Sequence, residues 1–577
     1  MKKICVVMAL LLAAVAAGAQ TMYDAMQFSS NNYAGTARSM AVGNALTAVG
    51  GDLGAIPLNP AGSAVFNYSE IAFTPGVAIS SVSSQYSSFG ENKYGSASTI
   101  GSTRFNVPNA GVVFSVRTGN SSGVKGWAFS FISSQTQNYL SFAKASGANS
   151  LTSAAAEKAG AAWGIAESTL DNYSSFNNSD CSWDILSAYQ SGQIASIFDG
   201  YYVGSNEAVA QDNAGDYYNY VAGDLRQTSS VKSYGTKDDI VMNAAVNVDD
   251  RVYIGGTLGI PVARYRYSES FTEAAVNPEE FPVDFYDSNN NEVRTYYKSS
   301  NTGYNYAANY DGIYAKIGVI ALLTDNLRVG AAFQTPTALT VTETWVNSAS
   351  CSFDNSSFSG SVSSPTGEYT YGLRTPYIAN FGLAYTLGTS GFISLDYEMA
   401  DYSVMRFRTR YADGISSYDT DDYFSQLNDV NRNFCGVSSS LRIGAEFKLN
   451  PMFALRAGYN LTTSPEQYWV NNYGYDVYAD DYLADYDAYQ SGLATLDTKY
   501  KVNSKTSSIS FGLGYSSPGS FFADIAARKT TYPSSVFAPY YDYDGFASDG
   551  EYYFMEAPRI KSNSSLWYVS LTFGWRF

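Results

Sequence analysis

The chain has 577 residues with no histidine, and 52 acidic against 35 basic residues give a formal net charge of −17. The missing imidazole excludes Ser-His-Asp and Cys-His hydrolases, zinc sites built on histidine and His-ligated haem. The acidity argues against nucleic acid as a partner, because phosphate binding needs basic patches. We therefore expect neither an enzyme nor a cofactor- or metal-dependent protein.

The N-terminus has the composition of a secretory signal peptide. Lys2 and Lys3 precede an apolar run at 4–17, and residues 17–19 (Ala-Gly-Ala) form a small-residue cleavage site. The run is too short to span a membrane as a helix, and no later stretch of about 18 apolar residues follows. We expect residues 1–19 to be removed. A chain exported in this way is released, periplasmic or an outer-membrane barrel.

Residues 20–64 show no strand pattern. Small residues dominate, and short helical stretches are broken by glycine. The segment contains Ala-Arg-Ser-Met-Ala at 37–41, Gly-Gly-Asp at 50–52 and Asn-Pro-Ala-Gly at 59–62. Such a segment can pack inside a lumen of limited width.

From residue 65 onward, apolar and polar residues alternate with the period of a strand. Bacterial barrels have an even number of antiparallel strands. The pattern predicts an all-β fold over 65–577, a single transmembrane antiparallel β-barrel of about 14 strands. The predicted strands are 70–79, 107–117, 126–139, 240–248, 252–265, 313–323, 327–335, 377–387, 392–402, 441–449, 453–461, 508–515, 521–529 and 565–577.

The connections alternate in length along the chain. Tight turns are predicted at 119–123, 249–251, 325–326, 388–391, 450–451 and 517–519. Long polar stretches are predicted at 87–105, 140–238, 268–311, 337–375, 403–438, 463–506 and 530–564. Outer-membrane barrels have short periplasmic turns and long extracellular loops. We therefore expect both termini on the periplasmic side.

The long loops carry two segments with helical patterns, 152–172 and 184–198. They either cap the barrel mouth or present apolar faces that capture a hydrophobic ligand. The acidic run at 419–422 opens like a calcium loop but lacks the glycine and glutamate that such a loop requires, so a solvated surface is favoured. Three cysteines remain after cleavage, Cys181, Cys351 and Cys435. One disulfide is possible, but an odd count specifies no framework.

The last strand places an aromatic or aliphatic residue at every second position and ends on an aromatic side chain. These residues are Val569, Leu571, Phe573, Trp575 and Phe577. A bare edge of this kind invites aggregation in a soluble sandwich, whereas a closed barrel in lipid accommodates it. The segment resembles the C-terminal assembly signal of outer-membrane barrels, which implies the barrel-assembly machinery as a partner. We expect its luminal face to lie near residues 59–61.

The motifs in residues 35–62, placed directly before the first strand, resemble the FadL/TodX family of outer-membrane transporters for hydrophobic compounds. That resemblance implies a fourteen-stranded barrel with an N-terminal hatch at 20–64. It implies passive, hatch-gated transport of long-chain fatty acids or similar lipophiles by a monomer, amid outer-membrane lipid and lipopolysaccharide, with release through a gap in the wall. The implied hatch and gating residues are Arg38, Asp52, Asn59, Pro60, Ala61 and Gly62.

Strand parity places several charged residues in the lumen: Arg117, Lys316, Arg328, Arg442, Glu446, Lys448, Arg456, Asp524 and Arg528. In a low-dielectric lumen they should pair with one another or with hatch residues. Two interpretations remain, a charge network that fastens the hatch and a cation that holds a carboxylate headgroup. The headgroup candidates are Lys316, Arg328, Arg442, Arg456 and Arg528. Strand prolines remove ladder donors, and one near strands one to three is expected to mark the gap.

Three other functions stay open. A nonspecific porin would need an unplugged lumen, and an adhesin would act through the Tyr- and Asp-rich loops. An outer-membrane enzyme could use paired carboxylates such as Asp396 and Glu398, although a solvated lumen explains them better. A haem receptor is disfavoured by the absence of histidine.

Overall fold

The computed structural model describes residues 20–88, 93–177, 181–198, 200–212, 215–286, 289, 291–410 and 423–577. Fourteen antiparallel strands within these ranges form a closed barrel, because the first strand pairs with both the second and the last. The predicted fold class is confirmed. The predicted signal peptide and the acidic run at 419–422 lie outside the described residues. None of the described helices is long and apolar enough to cross a membrane.

The barrel strands follow one another around the wall in chain order. They are β1 Glu70–Ser87, β2 Ser98–Arg117, β3 Val124–Asn138, β4 Leu225–Val248, β5 Val252–Ala275, β6 Glu292–Leu322, β7 Leu327–Gln334, β8 Ile378–Thr386, β9 Gly391–Asp401, β10 Val437–Lys448, β11 Phe453–Thr463, β12 Lys505–Ser516, β13 Phe521–Thr531 and β14 Arg559–Arg576. Five continue past a break, β3 as Ser141–Asn149, β7 as Ala338–Phe353, β8 as Gly367–Arg374, β9 as Arg406–Thr409 and β13 as Ser535–Phe537.

Short elements complete the loops and the N-terminal region. The α-helices are α1 Met22–Ser29, α2 Ala37–Ala41, α3 Ala154–Ala161, α4 Glu167–Leu170, α5 Trp183–Gln190, α6 Ser425–Phe434, α7 Ala479–Ala484 and α8 Tyr486–Gln490. Single 3-10 turns occur at Pro60–Val65, Tyr173–Asn177, Pro278–Glu280, Ser356–Phe358 and Tyr402–Val404. Small loop strands are Ile194–Phe198, Tyr201–Gly204, Glu207–Gln211, Tyr217–Val221, Pro282–Tyr286, Gly360–Ser363, Gln467–Asn471, Asp476–Val477, Leu496–Lys501, Tyr543–Phe546 and Tyr552–Met555.

The seam between β1 and β14 shows how the alternation of the last strand is used. Phe573 pairs with Phe73 and Trp575 with Ile71, and all four side chains face outward and are exposed. Ser570 and Thr572, which alternate with the outward residues along β14, face the lumen and are buried. At the end of the seam the amide of Phe577 donates to the carbonyl of Ser69 at 2.9 Å. Because every strand repeats this alternation, the outer wall carries a continuous apolar band and the lumen is polar.

The structure corrects the predicted strand boundaries at the long-loop end of the barrel. The segments 225–238 and 292–311 were predicted as loop but belong to β4 and β6. Their outward residues are polar, since the strands here extend beyond the apolar band and face water. A pattern based on alternating hydrophobicity therefore ends where the band ends, whereas hydrogen bonding continues.

The helical prediction for 184–198 is correct only in its first half. Residues after Gln190 turn and form the strand Ile194–Phe198. The predicted helix at 152–172 is split into α3 and α4. Ile185 and Ala188 pack into a buried loop core, whereas Phe198 is exposed. Cys181, Cys351 and Cys435 are buried with free thiols.

A charge placed in the middle of the outward band should destabilise the barrel. Leu571 faces outward and is 41% exposed in the centre of the β14 band, so we expect Leu571→Arg to lower the free energy of unfolding by about 2–4 kcal/mol. Urea unfolding in lipid vesicles measures the change. Asn563 is on the same face of β14 but beyond the band, so Asn563→Arg should lower the free energy of unfolding by at most about 1 kcal/mol. Equal losses would contradict this placement of the band.

Candidate functional site

Residues Gln20–Val65, here called the luminal segment, lie inside the barrel. Side chains of several wall strands bind its backbone. Ser394 Oγ of β9 donates to the carbonyl of Ala45 at 2.6 Å, and Ser510 Oγ of β12 donates to that of Ala41 at 3.1 Å. The amide of Ala37 donates to Thr572 Oγ1 at 2.8 Å. A segment of small residues leaves its backbone accessible to the wall, so a polar lumen can satisfy it.

The turn at Asn59 is the most tightly bound part of the luminal segment. Asn59 is fully buried, and its Nδ2 donates to the carbonyls of Thr47 at 2.8 Å and Val319 at 3.1 Å. Its Oδ1 accepts from the amide of Ala61 at 3.1 Å and so caps the 3-10 turn that begins at Pro60. One side chain therefore joins two parts of the segment to β6.

Two wall glycines make room for this turn. A Cβ at Gly318 of β6 would lie 2.0 Å from Asn59 Oδ1, and one at Gly255 of β5 would lie 2.4 Å from the Pro60 carbonyl. Asn243 of β4 adds a hydrogen bond from its Nδ2 to that carbonyl at 3.0 Å. The turn thus packs against β4–β6. The expectation that residues 59–61 lie near the terminal strand is wrong, since Ala37 is the residue that contacts Thr572.

Arg38 and Asp52 belong to a buried charge network. Arg38 Nε lies 2.8 Å from Glu446 Oε2, and its Nη1 lies 3.9 Å from Asp52 Oδ2. Arg456 Nε lies 2.7 Å from the same Glu446 oxygen, and its Nη1 lies 2.6 Å from Asp524. The network joins α2 to β10, β11 and β13. Removing one member would leave a buried charge without its partner.

The other headgroup candidates also hold the luminal segment or another wall residue. Lys316, Arg328 and Arg528 donate to the carbonyls of Pro57, Val49 and Tyr33 at 2.8, 3.2 and 2.6 Å, respectively. Arg442 Nη2 lies 3.0 Å from Glu398. These contacts fit the interpretation of a network that fastens the segment. Arg117 and Lys448 were predicted to face the lumen but are exposed at the turn end.

Aromatic residues fill the lumen on the long-loop side of the segment. Thr21 and Asp24 form a capping box that starts α1, and the Phe28 ring of that helix lies 4.9 Å from the Tyr310 ring. The fully buried Glu343 accepts hydrogen bonds from Gln20, Tyr306 and Tyr371. Two cavities of about 20 and 30 Å³ remain beside Ser29. Each has room for about one or two water molecules.

The wall is interrupted between β2 and β3. Their pairing ends at Asn109 and Ser134, and the structure describes no ladder between the earlier part of β2 and the continuation of β3. Pro75 and Pro108 lie at the register shift beside the break, and each lacks an amide donor. Leu140, where β3 continues, packs in a luminal cluster with Ala78 and Tyr568. The strand therefore bends into the lumen.

The luminal segment binds the bent part of β3. The amide of Asn32 donates to the carbonyl of Thr136 at 2.6 Å, and that of Ala34 donates to the carbonyl of Gln135 at 3.0 Å. Lys237 Nζ of β4 adds a hydrogen bond to the carbonyl of Ser30 at 2.6 Å. Carbonyls freed by the break thus find their donors in the segment. The conformation of the segment and that of the gap are physically connected.

Sequence reasoning missed Lys237 and Glu343 as luminal residues. Both lie on extensions of strands that were predicted as loop, β4 before residue 240 and β7 after residue 335. Parity assigns a face only within a recognised strand. Lys237 lies six residues before the luminal Asn243 on β4. Continuing the two-residue alternation of that strand toward the long loops would therefore have placed Lys237 in the lumen.

No protein-family model and no curated protein matches the chain. Among solved structures it is similar to a Pseudomonas aeruginosa FadL homologue, with 11% identity, a TM-score of 0.46, and coverage of 95% of this chain and 99% of that one. It is also similar to the Ralstonia pickettii toluene transporter TbuX, with 12% identity, a TM-score of 0.43, and coverage of 94% of this chain and 98% of that one. A third similar structure is the P. putida toluene transporter TodX, with 11% identity, a TM-score of 0.43, and coverage of 94% of this chain and 98% of that one.

A side chain at Gly255 should displace the turn at Asn59. We expect Gly255→Ala to speed amide hydrogen exchange over residues 47–62 by roughly five- to a hundredfold, because the overlap with Pro60 costs about 1–3 kcal/mol. Exchange followed by mass spectrometry measures it. Gly256→Ala is the matched control, since a Cβ there meets open space. Unchanged exchange in both variants would contradict the tight packing of this turn.

Proposed function

We propose that this protein is an outer-membrane channel for the passive entry of hydrophobic small molecules, with long-chain fatty acids or similar lipophiles as substrates. The outward apolar band and closed barrel suit a bilayer. The filled lumen suits a gated route better than a nonspecific porin, which needs a continuous aqueous path. The short turns and Phe577 lie on one side, which we assign to the periplasm. The prediction that both chain ends lie there is wrong for the N-terminal end, since Gln20 binds Glu343 on the long-loop side of the lumen.

The observation that carries this proposal is the connection between the luminal segment and the break in the wall. Asn32 and Ala34 bind the bent part of β3 at the break. An aqueous exit is unfavourable for a hydrophobic molecule, because it would have to enter water. Release through the break in the barrel wall would let it pass directly into the lipid. Movement of the segment would change both the lumen and the gap, so one rearrangement could open the whole route.

In this mechanism the luminal segment is the hatch. The Asn59 turn and the Arg38 network hold it against opposite walls. A ligand collected among the loop aromatics would displace α1, whose Phe28 occupies the centre of the aromatic core. Release would follow through the gap between β2 and β3. No energy source is needed, since the concentration gradient of the ligand drives entry.

Uptake of a labelled long-chain fatty acid tests the substrate class. We expect cells with the protein to take up more label than cells without it. Asn59→Ala should raise uptake at least about fivefold, because buried carbonyls lose their donor and the closed hatch loses about 1–3 kcal/mol. Uptake of a hydrophilic sugar is the control for general leakage. Equal fatty-acid uptake by all three strains would refute the fatty-acid proposal.

A disulfide across the break tests the lateral route. Asn106 Nδ2 of β2 donates to Gln135 Oε1 of β3 at 2.6 Å, so we expect Asn106→Cys with Gln135→Cys to close the gap on oxidation. Substrate uptake should fall about tenfold and recover on reduction. The matched control is Ser115→Cys with Ala128→Cys, a pair on the intact part of the same two strands. If the disulfide forms and uptake persists, the exit lies elsewhere.

A further inference from the structure

The outer wall beside the break carries a group of cations that the transport route does not use. Arg104 of β2, Lys144 where β3 continues, Lys232 of β4 and Arg264 of β5 are all exposed. We call these four residues the basic patch. They lie on consecutive strands in a protein whose net charge is −17, so the local charge is opposite in sign to that of the whole.

The basic patch follows β4 along its outer face from Ser230 to Thr236. The Arg104 guanidinium lies 4.2 Å from the centroid of the Tyr234 ring. Lys232 is two residues from Tyr234 on the same face of β4, which is about 7 Å along a strand. Arg264 pairs with Thr236, two residues in the other direction. Lys144 pairs with Ser230, next along β4 from Lys232.

Aromatic contacts hold two of these cations without neutralising them. Besides the Arg104 contact, Lys232 Nζ lies 4.4 Å from the centroid of the Phe142 ring. Cation–π contacts orient a charge but leave it available for an anion. None of the four takes part in an ion pair within the described ranges. Asp238 and Asp311 are the nearby acids of this face, and Asp238 already accepts a hydrogen bond from Thr236 at 2.8 Å.

The basic patch lies at the edge of the apolar band. On β5 the outward residues Ile254, Leu258 and Val262 are exposed and apolar, and Arg264 is the next outward position. With a strand rise of about 3.4 Å and a tilt near 40°, the residues from 252 to 262 span about 26 Å, the height of such a band. The patch therefore sits at headgroup level with an apolar surface beneath it.

We propose that the basic patch binds the phosphorylated headgroup of an outer-leaflet glycolipid, lipid A or a close equivalent, with the apolar band beneath the patch against the acyl chains. This inference rests on the outer-membrane location and orientation given under the proposed function. Phosphate is the anion available at this depth in the outer leaflet, and clustered Lys and Arg bind lipid phosphates through charge. The bound lipid stands directly outside the break between β2 and β3.

Native mass spectrometry of the purified full-length protein with added diphosphoryl lipid A tests the site. The variant Arg104→Gln/Lys144→Gln/Lys232→Gln/Arg264→Gln should bind lipid A about 600-fold more weakly, at roughly fivefold per charge near the surface. Wild-type protein should bind dephosphorylated lipid A as weakly as this variant does. Heat-modifiable migration in gels checks that the barrel is folded. If the quadruple variant does not fold, the double variant Lys144→Gln/Lys232→Gln replaces it in the test. We expect its affinity for lipid A to be about 25-fold lower than that of the wild type.

The matched control removes four cations at the other rim, Arg117→Gln/Lys125→Gln/Arg251→Gln/Lys448→Gln, with the same change in net charge. It should bind lipid A as wild type does. Equal loss in both variants, no loss in either, or equal binding of the dephosphorylated lipid would overturn the proposal. Fatty-acid uptake is scored separately. Loss of lipid binding with intact uptake supports the site alone, and retained lipid binding without uptake refutes the transport proposal alone.

Discussion

A strand exposed to lipid must pair every backbone N–H and C=O within the protein, and this constraint shapes the whole molecule. It closes the barrel, so that β1 and β14 pair along almost their full lengths. It also explains why an interruption of the wall needs compensation. Where β3 leaves β2, the carbonyls of Gln135 and Thr136 accept from the luminal segment instead of from a neighbouring strand. A gap in this barrel is therefore stable only in combination with the segment that binds it.

The luminal segment is held by many specific polar contacts together with apolar packing, in which Leu46, Leu53 and Ile56 are buried against wall side chains. Wall hydroxyls and amides bind its carbonyls, and glycines at 255 and 318 admit its turn. Buried ion pairs such as Arg38–Glu446 contribute little net stability, because desolvation offsets their attraction, but they penalise displaced arrangements. An element fastened in this way has one well-defined resting position.

Most of the barrel could be predicted from the sequence because each strand repeats a simple two-face requirement. Outward residues within the band must be apolar and luminal residues polar, so alternation located all fourteen strands. The same rule failed above the band, where the outward residues of β4 and β6 are polar because they face water. It consequently missed Lys237 and Glu343. The helix predicted through residue 198 ends at Gln190, and a strand follows at Ile194–Phe198. The apolar residues of this stretch can be buried in the loop core from a helix or from a strand, so their spacing does not decide between the two.

The sequence by itself determined the barrel, the number of its strands, the short and long ends and the presence of a small-residue segment before β1. These features follow from local periodicity and composition, which any stretch of chain carries alone. Only the tertiary structure decided that the Asn59 turn packs on β4–β6, that Glu446 joins Arg38 to Arg456, and that the wall breaks between β2 and β3. Such contacts join residues hundreds of positions apart. They depend on how the closed ring places its strands around the segment, and no local pattern records that arrangement.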